Sequence, residues 1–282
     1  MITKVMGFVV RTIDYKDSSL LVYLLTHEYG LIGLIAKGAK QMKSKLRSGT
    51  SKFTYGYFYI YYKEDNLSIL KEVDVIDNYP RLHEDITLIG YLNYVTDLTT
   101  QVYKESNETK LLDYLLVTLN KMNQGLDAAI LTNILEVKYL PLLGVSLNFD
   151  SCVKCKSTSN LLTLSLDNGG MICQNCYTNE ILYSKKTLYY LKLFMNIDIS
   201  KITKIDIKDR TYIWQFYSHV ICLGTKITLI AFPQAVRFYS HVICLGTKMD
   251  IVKTPEIEGF YSHVICLGTK ISNLALPTFV YH

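Results

Sequence analysis

The sequence predicts an α+β protein of more than one domain: a small N-terminal β-barrel over residues 1–80, then an α-helical domain over 81–226 with an inserted four-cysteine hairpin at about 145–180. Three observations predict it. Short β-branched and aromatic runs broken by turn residues fill the first 80 residues. Apolar residues recur at three- and four-residue spacing after Pro80, and two Cys-x-x-Cys pairs interrupt that helical pattern. Residues 227–282 are a repeat-bearing tail for which no fold is predicted.

Five strands are expected, at Lys4 to Ile13, Ser19 to Thr26, Leu31 to Lys37, Phe53 to Tyr62 and Leu67 to Val75. His27-Glu28-Tyr29-Gly30 reads as a hairpin turn, with Gly30 supplying the positive φ that such turns often need. The fourth strand alternates throughout. Phe53, Tyr55, Tyr57, Tyr59 and Tyr61 share one face, and Thr54, Gly56, Phe58, Ile60 and Tyr62 the other. Five short strands with a long basic connection between the third and fourth indicate an OB-like barrel, a fold whose open face and loops commonly bind single-stranded nucleic acid. The 23 tyrosines run through the whole chain, so a core role is expected for any one of them before base stacking.

A first helix is expected from about Arg81, with Leu82, Ile86, Ile89, Leu92, Tyr94 and Leu98 on its apolar stripe. A second follows from about Glu108 (Leu111, Leu112, Leu115, Leu116, Leu119). A third starts after Asp127, a suitable N-cap, with Ile130, Ile134, Leu135 and Val137 inward. The helical pattern resumes near Lys185. His83 stands alone on this body and reads as structural or solvent-facing.

Between the third and fourth helices lie Cys152-Val-Lys-Cys155 and, after 17 intervening residues, Cys173-Gln-Asn-Cys176. A pair of cysteines two residues apart can grip a metal from one tight turn. The second pair, returning on a hairpin with a Gly169-Gly170 bend, completes four thiolates around one zinc ion. A sphere closed by four cysteines leaves no position for water or substrate, so the zinc is expected to hold a subdomain together rather than perform chemistry. A redox dithiol would need only one pair. A zinc deaminase would need an upstream His-x-Glu and a proline before the first cysteine of its pair, and neither is present.

At 282 residues the chain is long enough for about two domains. The start Met1-Ile2-Thr3-Lys4 does not resemble a signal peptide, and no charge-free apolar stretch approaches the roughly 18 residues that span a bilayer. A soluble protein of the reducing cytoplasm, where thiolates stay free for zinc, is therefore expected. The net charge of +5 is unevenly spread. Residues 1–80 hold 11 basic and 8 acidic side chains, residues 81–148 hold 5 and 8. Lys37, Lys40, Lys43, Lys45 and Arg47 fall in one carboxylate-free connection, a natural contact for phosphates, although a solvated surface loop has the same composition. With Arg11 and Lys52 they are the candidate phosphate contacts. Neither a Gly-x-Ser-x-Gly elbow nor a Gly-x-x-x-x-Gly-Lys-Ser/Thr loop supports a catalytic reading, and no catalytic residue is assigned.

In the tail, Phe-Tyr-Ser-His-Val-Ile-Cys-Leu-Gly-Thr-Lys occurs three times, at 216–226, 238–248 and 260–270, identical throughout, beside spacers with no obvious likeness to one another. A selected solenoid keeps its buried pattern and lets exposed positions drift, so recent duplication or an artefact of sequence assembly fits better. The His-x-x-Cys within each copy (His219 and Cys222, His241 and Cys244, His263 and Cys266) is explained by copying rather than by a second metal site.

The order of parts resembles the bacterial RecO family of DNA repair and recombination mediators. The resemblance rests on Gly7-Phe8-Val9-Val10, Tyr15-Lys16-Asp17-Ser18-Ser19-Leu20 and the Thr26-His27-Glu28-Tyr29-Gly30 turn leading to Ala36-Lys37-Gly38-Ala39-Lys40. It continues through Leu140-Pro141-Leu142-Leu143-Gly144 into the four-cysteine hairpin and covers about residues 1–226, the first repeat copy looking like the family's closing helix. It implies a non-enzymatic, nucleoid-associated protein that binds single- and double-stranded DNA and anneals complementary strands coated with single-strand-binding protein. With the partner RecR it would load the recombinase. Under this resemblance the candidate phosphate contacts, Arg11, Lys37, Lys40, Lys43, Lys45, Arg47 and Lys52, become the candidate DNA-binding residues. A zinc-ribbon transcription or adaptor protein, binding duplex DNA sequence-specifically, is the alternative.

Overall fold

The computed structural model describes residues 2–64 and 66–207. The repeats, and the stretch expected to close the helical domain, lie outside the described residues.

Five strands, β1 (Thr3–Tyr15), β2 (Ser19–Thr26), β3 (Gly30–Ala36), β4 (Tyr55–Tyr61) and β5 (Ser68–Asp77), close into a barrel in the order β1-β2-β3-β5-β4. Neighbours are antiparallel except β3 and β5, which run parallel over three residue pairs, Leu34 with Ser68 to Ala36 with Leu70. That parallel closure completes the expected OB-like barrel. β1 serves two neighbours because a register shift between Val9 and Arg11 bends it. The β2–β3 turn is tied by Thr26, whose Oγ1 accepts from Tyr29 N at 3.0 Å and donates to Gly30 O at 2.9 Å. Gly30 has φ +62, and a Cβ there would run into the Tyr103 hydroxyl of the first helix, so both backbone and packing require glycine.

Alternation in β4 resolves in one direction. Gly56, Phe58 and Ile60 are buried and, with Val5, Leu24 and Leu34, fill the barrel, while Tyr55, Tyr57, Tyr59 and Tyr61 line the outer face. Lys4 of β1 lies over the Tyr57 and Tyr59 rings, 3.9 and 5.7 Å from their centroids. Phe53 and Thr54, expected within the strand, precede it, because Phe53 adopts a left-handed backbone (φ 74) that no strand continues through.

The helical body differs from the sequence expectation at its start. Pro80–His83 is a 3-10 turn, and α1 spans Ile86–Ser106, with Asp85 accepting from Thr87 N at 2.6 Å and Leu88 N at 3.2 Å. Ile86, expected on the apolar stripe, is 81 % exposed, since the first turn of α1 lies outside the body. In α2 (Leu111–Asn123) all five expected leucines are buried. α3 (Ala128–Tyr139) is capped by Asp127 as expected, and α4 (Lys185–Asn196) by Ser184. Lys138 of α3 donates to Met195 O at 2.6 Å, satisfying a carbonyl at the end of α4; burial lowers its pKa, partly offset by Asp198.

Phe8, Val10, Leu25 and Phe53 of the barrel belong to the same hydrophobic core as the helices, so the two parts share apolar contacts. Tyr79 is the joint. It is fully buried beside Phe8 with a left-handed backbone (φ 51), and its N–H donates to Asp77 at 2.7 Å. His83 is exposed and structural: Nδ1 lies 3.0 Å from Tyr79 O, and its ring sits beside Phe53.

Candidate metal centre and nucleic-acid interface

The hairpin consists of β6 (Leu161–Ser165) and β7 (Gly170–Cys173), joined through Gly169 at φ +67. Cys173 ends β7, and a 3-10 turn, Gln174–Cys176, brings the second cysteine of its pair back to the same side. The first pair sits on a tight turn, with Lys156 N donating to Cys152 O and Cys152 N to Ser157 O, both at 2.8 Å. Lys156 takes the left-handed conformation (φ 64) that reverses the chain after Cys155. Val153 N donates to Met171 O at 2.9 Å and seats this turn against β7. The four sulfurs lie within 4.8 Å of one another, and Cys155 Sγ is 3.6 Å from Cys173 Sγ.

The electrostatics of the cluster favour a cation. Backbone hydrogen bonding from Cys155, helped by donors at Cys173 and Lys154, pulls the Cys152 thiol down to about 6 against the opposing effect of burial. Hydrogen bonds shared with Cys155 and Cys173, together with burial, push Cys176 up to about 12. The cluster thus stabilises one thiolate at Cys152 and resists a second at Cys176. That resistance comes chiefly from the hydrogen bonds that Cys176 shares with Cys155 and Cys173 and from burial, with repulsion from the Cys152 charge the smallest contribution. A divalent ion at the centre removes that resistance. The donor set is all sulfur, which suits zinc or another thiophilic metal. Cys152 and Cys173 are buried, Cys176 is half-buried and Cys155 faces solvent, so the site lies just under the surface.

Sequence reasoning missed the clasp over this site. Lys154, between the cysteines of the first pair, donates to Cys176 O at 3.1 Å and to Glu180 Oε1 at 2.8 Å. Glu180 Oε2 accepts from Thr178 N at 2.8 Å. Lys154, first, and the Thr178 backbone hold the Glu180 carboxyl down at about 2, and the lysine is raised in return. One lysine therefore ties the two pairs together across 22 residues of sequence. The only signal in the sequence was a charge of each sign beside the motif.

The expected basic connection, residues 37–54, is a chain of consecutive turns: Gln41 N to Gly38 O, Ser44 N to Gln41 O, Arg47 N to Ser44 O and Thr50 N to Leu46 O, at 3.0 to 3.2 Å. Ala39 and Leu46 pin it to the barrel core. Lys37, Lys40, Lys43, Lys45 and Arg47 all point to solvent, as does Arg11 beyond the β1 bulge. Lys40 pairs with Asp14 at 2.9 Å. Lys37, Lys43, Lys45, Arg47 and Arg11 make no ion pair with a described carboxylate. Lys52 differs: it is half-buried and turned toward α1, 2.8 Å from Asn93 Oδ1 and 3.5 Å from Asp97 Oδ1. The structure therefore places six of the seven candidate cations on one connection, five with their side chains toward solvent and Lys52, near its end, turned toward α1.

Known proteins are similar to this chain in sequence over most of its length. Residues 1–79 match the family described as "Recombination protein O N terminal" and residues 83–213 the one described as "Recombination protein O C terminal". A protein of Halalkalibacterium halodurans named DNA repair protein RecO is 34 % identical over 236 residues, covering 80 % of this chain and 92 % of that protein. Proteins of the same name from Bacillus pumilus and Bacillus subtilis are 34 % and 32 % identical over 215 residues, each covering 75 % of this chain and 84 % of the relative. No helix among the described residues is long and apolar enough to cross a membrane.

Proposed function

Because the chain belongs to the RecO family of DNA repair proteins, we propose that it is a non-enzymatic mediator that binds single- and double-stranded DNA and anneals complementary strands. In this role it helps to load the recombinase onto DNA coated with single-strand-binding protein, with RecR as partner. One observation carries the proposal: an ordered, carboxylate-free connection on an OB-like barrel that presents Lys37, Lys43, Lys45 and Arg47 to solvent without ion-pair partners among the described carboxylates. Such cations neutralise phosphates with little preference for base sequence, as annealing of arbitrary strands requires. Lys40 and Arg11 extend the same surface. Lys40 exchanges its exposed partner Asp14 for a phosphate at small cost, since exposed pairs contribute about 1 kcal/mol or less.

Cys152, Cys155, Cys173 and Cys176 are the proposed zinc ligands, and the ion would supply folding free energy to the hairpin. Four protein ligands fill a tetrahedral sphere, which supports a structural ion and a mediator that makes and breaks no covalent bond. The test is strand annealing with complementary oligonucleotides, bare and coated with single-strand-binding protein. Annealing of both supports the proposal. Tight binding to one duplex sequence without annealing would instead favour a zinc-ribbon adaptor.

A further inference from the structure

Lys52 and Phe53 end the basic connection under unusual constraint. Lys52 Nζ meets Asn93 Oδ1 at 2.8 Å and Asp97 Oδ1 at 3.5 Å, and lies 4.8 Å from the centroid of the Phe53 ring. Asn93 is itself oriented, its side-chain amide donating to Ile89 O at 2.9 Å. Phe53 is buried at φ 74 and bracketed by two backbone bonds at the β1 bulge, Phe53 N to Val9 O at 2.8 Å and Val9 N to Thr54 O at 2.9 Å. A bulky residue in this region is strained and persists only where its surroundings over-determine it. Those surroundings come from three elements: β1, α1 and the 3-10 turn carrying His83.

We infer that Lys52 is a positioning residue for nucleic-acid binding: it anchors the end of the basic connection to α1 and so aims Lys43, Lys45 and Arg47, without itself touching phosphate. The inference rests on the proposed DNA-binding role of that connection. Its chemistry separates it from a direct contact. A phosphate contact adds to the salt dependence of binding, and a positioning ion pair does not. Removing the carboxylate of Asp97 also has opposite signs in the two cases. If Asp97 were only a nearby negative charge, its loss would strengthen DNA binding; as the partner that holds Lys52, its loss weakens it.

The test measures binding of a labelled oligothymidine across a salt series for Lys52→Met, Asp97→Asn and Lys43→Met, with hydrogen exchange over residues 37–54. Lys52→Met and Asp97→Asn should each lower affinity roughly fivefold, the consequence of losing one partly exposed ion pair, with the salt slope unchanged. Lys43→Met should lower the slope by about 0.7. Exchange over the connection should quicken in the first two variants and not in the third. A slope lowered by about 0.7 in Lys52→Met makes it a phosphate contact and overturns the inference. Tighter binding by Asp97→Asn, or unchanged exchange, overturns it equally. If the parent protein binds no oligothymidine, the DNA reading fails, and exchange alone still decides whether Lys52 orders the connection.

A second inference rests on a different observation, the repeated tail sequence. The family model's match ends at residue 213, before the first copy at Phe216, whereas the match to the Halalkalibacterium halodurans relative, covering 80 % of the chain, extends into that copy. The three copies are identical at all eleven positions, and the spacers share one residue in common, a proline at the same place (Pro233, Pro255, Pro277). A simple tandem duplication would have copied the spacers too. Selection on the peptide would have let its exposed positions drift. We infer that this stretch is a repeat–spacer DNA array read in frame, its identity maintained in the nucleic acid rather than in the protein. The nucleotide sequence decides it. The copies should agree at every synonymous third codon position, and the same repeat should recur at the same spacing outside this reading frame. Synonymous differences between copies would show selection on the peptide, which the recurring proline would then join, and would overturn the inference.

Discussion

Neutralising Lys37, Lys43, Lys45 and Arg47 together to glutamine tests the proposed interface most directly, because these four cations are exposed on one connection and paired with no described carboxylate. Lys40 is left in place, since it ties the connection to the β1–β2 turn through Asp14 and through its N–H to Ser18 O at 3.0 Å. The residues that hold the connection, Ala39, Leu46 and Phe53, are untouched, so the barrel should keep its stability. If each cation meets one phosphate of a single strand, each loss lowers the slope of log affinity against log salt by about 0.7, or about 2.8 for all four. Over a fourfold rise in salt the parent should then lose about fifty times more affinity than the variant does. Fluorescence anisotropy with a labelled oligothymidine at several salt concentrations reads both slopes. A variant slope within about 0.7 of the parent's would refute the reasoning and move the DNA site off this connection.

The metal assignment predicts one zinc per chain in protein purified without chelator, and loss of both metal and soluble yield in Cys152→Ser or Cys176→Ser; a quadruple serine variant as stable as the parent would sink it. The Lys154 clasp predicts a pH signature. The Glu180 carboxyl sits at about 2 when folded against an ordinary value of 4.5, so its contribution is complete above 4.5 and disappears as pH falls toward 2. The stability difference between parent and Glu180→Gln, read by denaturant melts, should therefore shrink across that window. Gly30→Ala should cost more than about 1 kcal/mol, because alanine tolerates neither the positive φ nor the approach of Tyr103. Thermal melts should show a drop of a few degrees. A chain ending at Arg237, which omits the second and third repeat copies, should bind zinc and anneal strands like the full chain. Loss of annealing would mean that those copies matter to the protein.

What the sequence by itself determined is what short-range chemistry dictates. β2 runs over the residues expected, and β1, β3 and β5 differ only at their ends, because period-two alternation and the Gly30 turn are local signals. The four cysteines were legible for the same reason, since a Cys-x-x-Cys turn needs only its own backbone to aim two sulfurs at one point. Asp127 announced α3 by its own side chain. Tertiary structure decided what depends on distant partners. Both faces of β4 are aromatic-rich, so no local pattern says whether tyrosines or Phe58 and Ile60 turn inward; the smaller, wholly apolar set fits inside the closed barrel. Closure itself, through parallel pairing of β3 with β5, joins strands separated by the whole basic connection and β4. Lys52 looked like its lysine neighbours until α1 brought Asn93 and Asp97 beside it. Lys154 likewise became a clasp only when the hairpin folded Glu180 back over the first cysteine pair. A charged side chain takes its role from what surrounds it, and these surroundings lie 22 to 45 residues away along the chain.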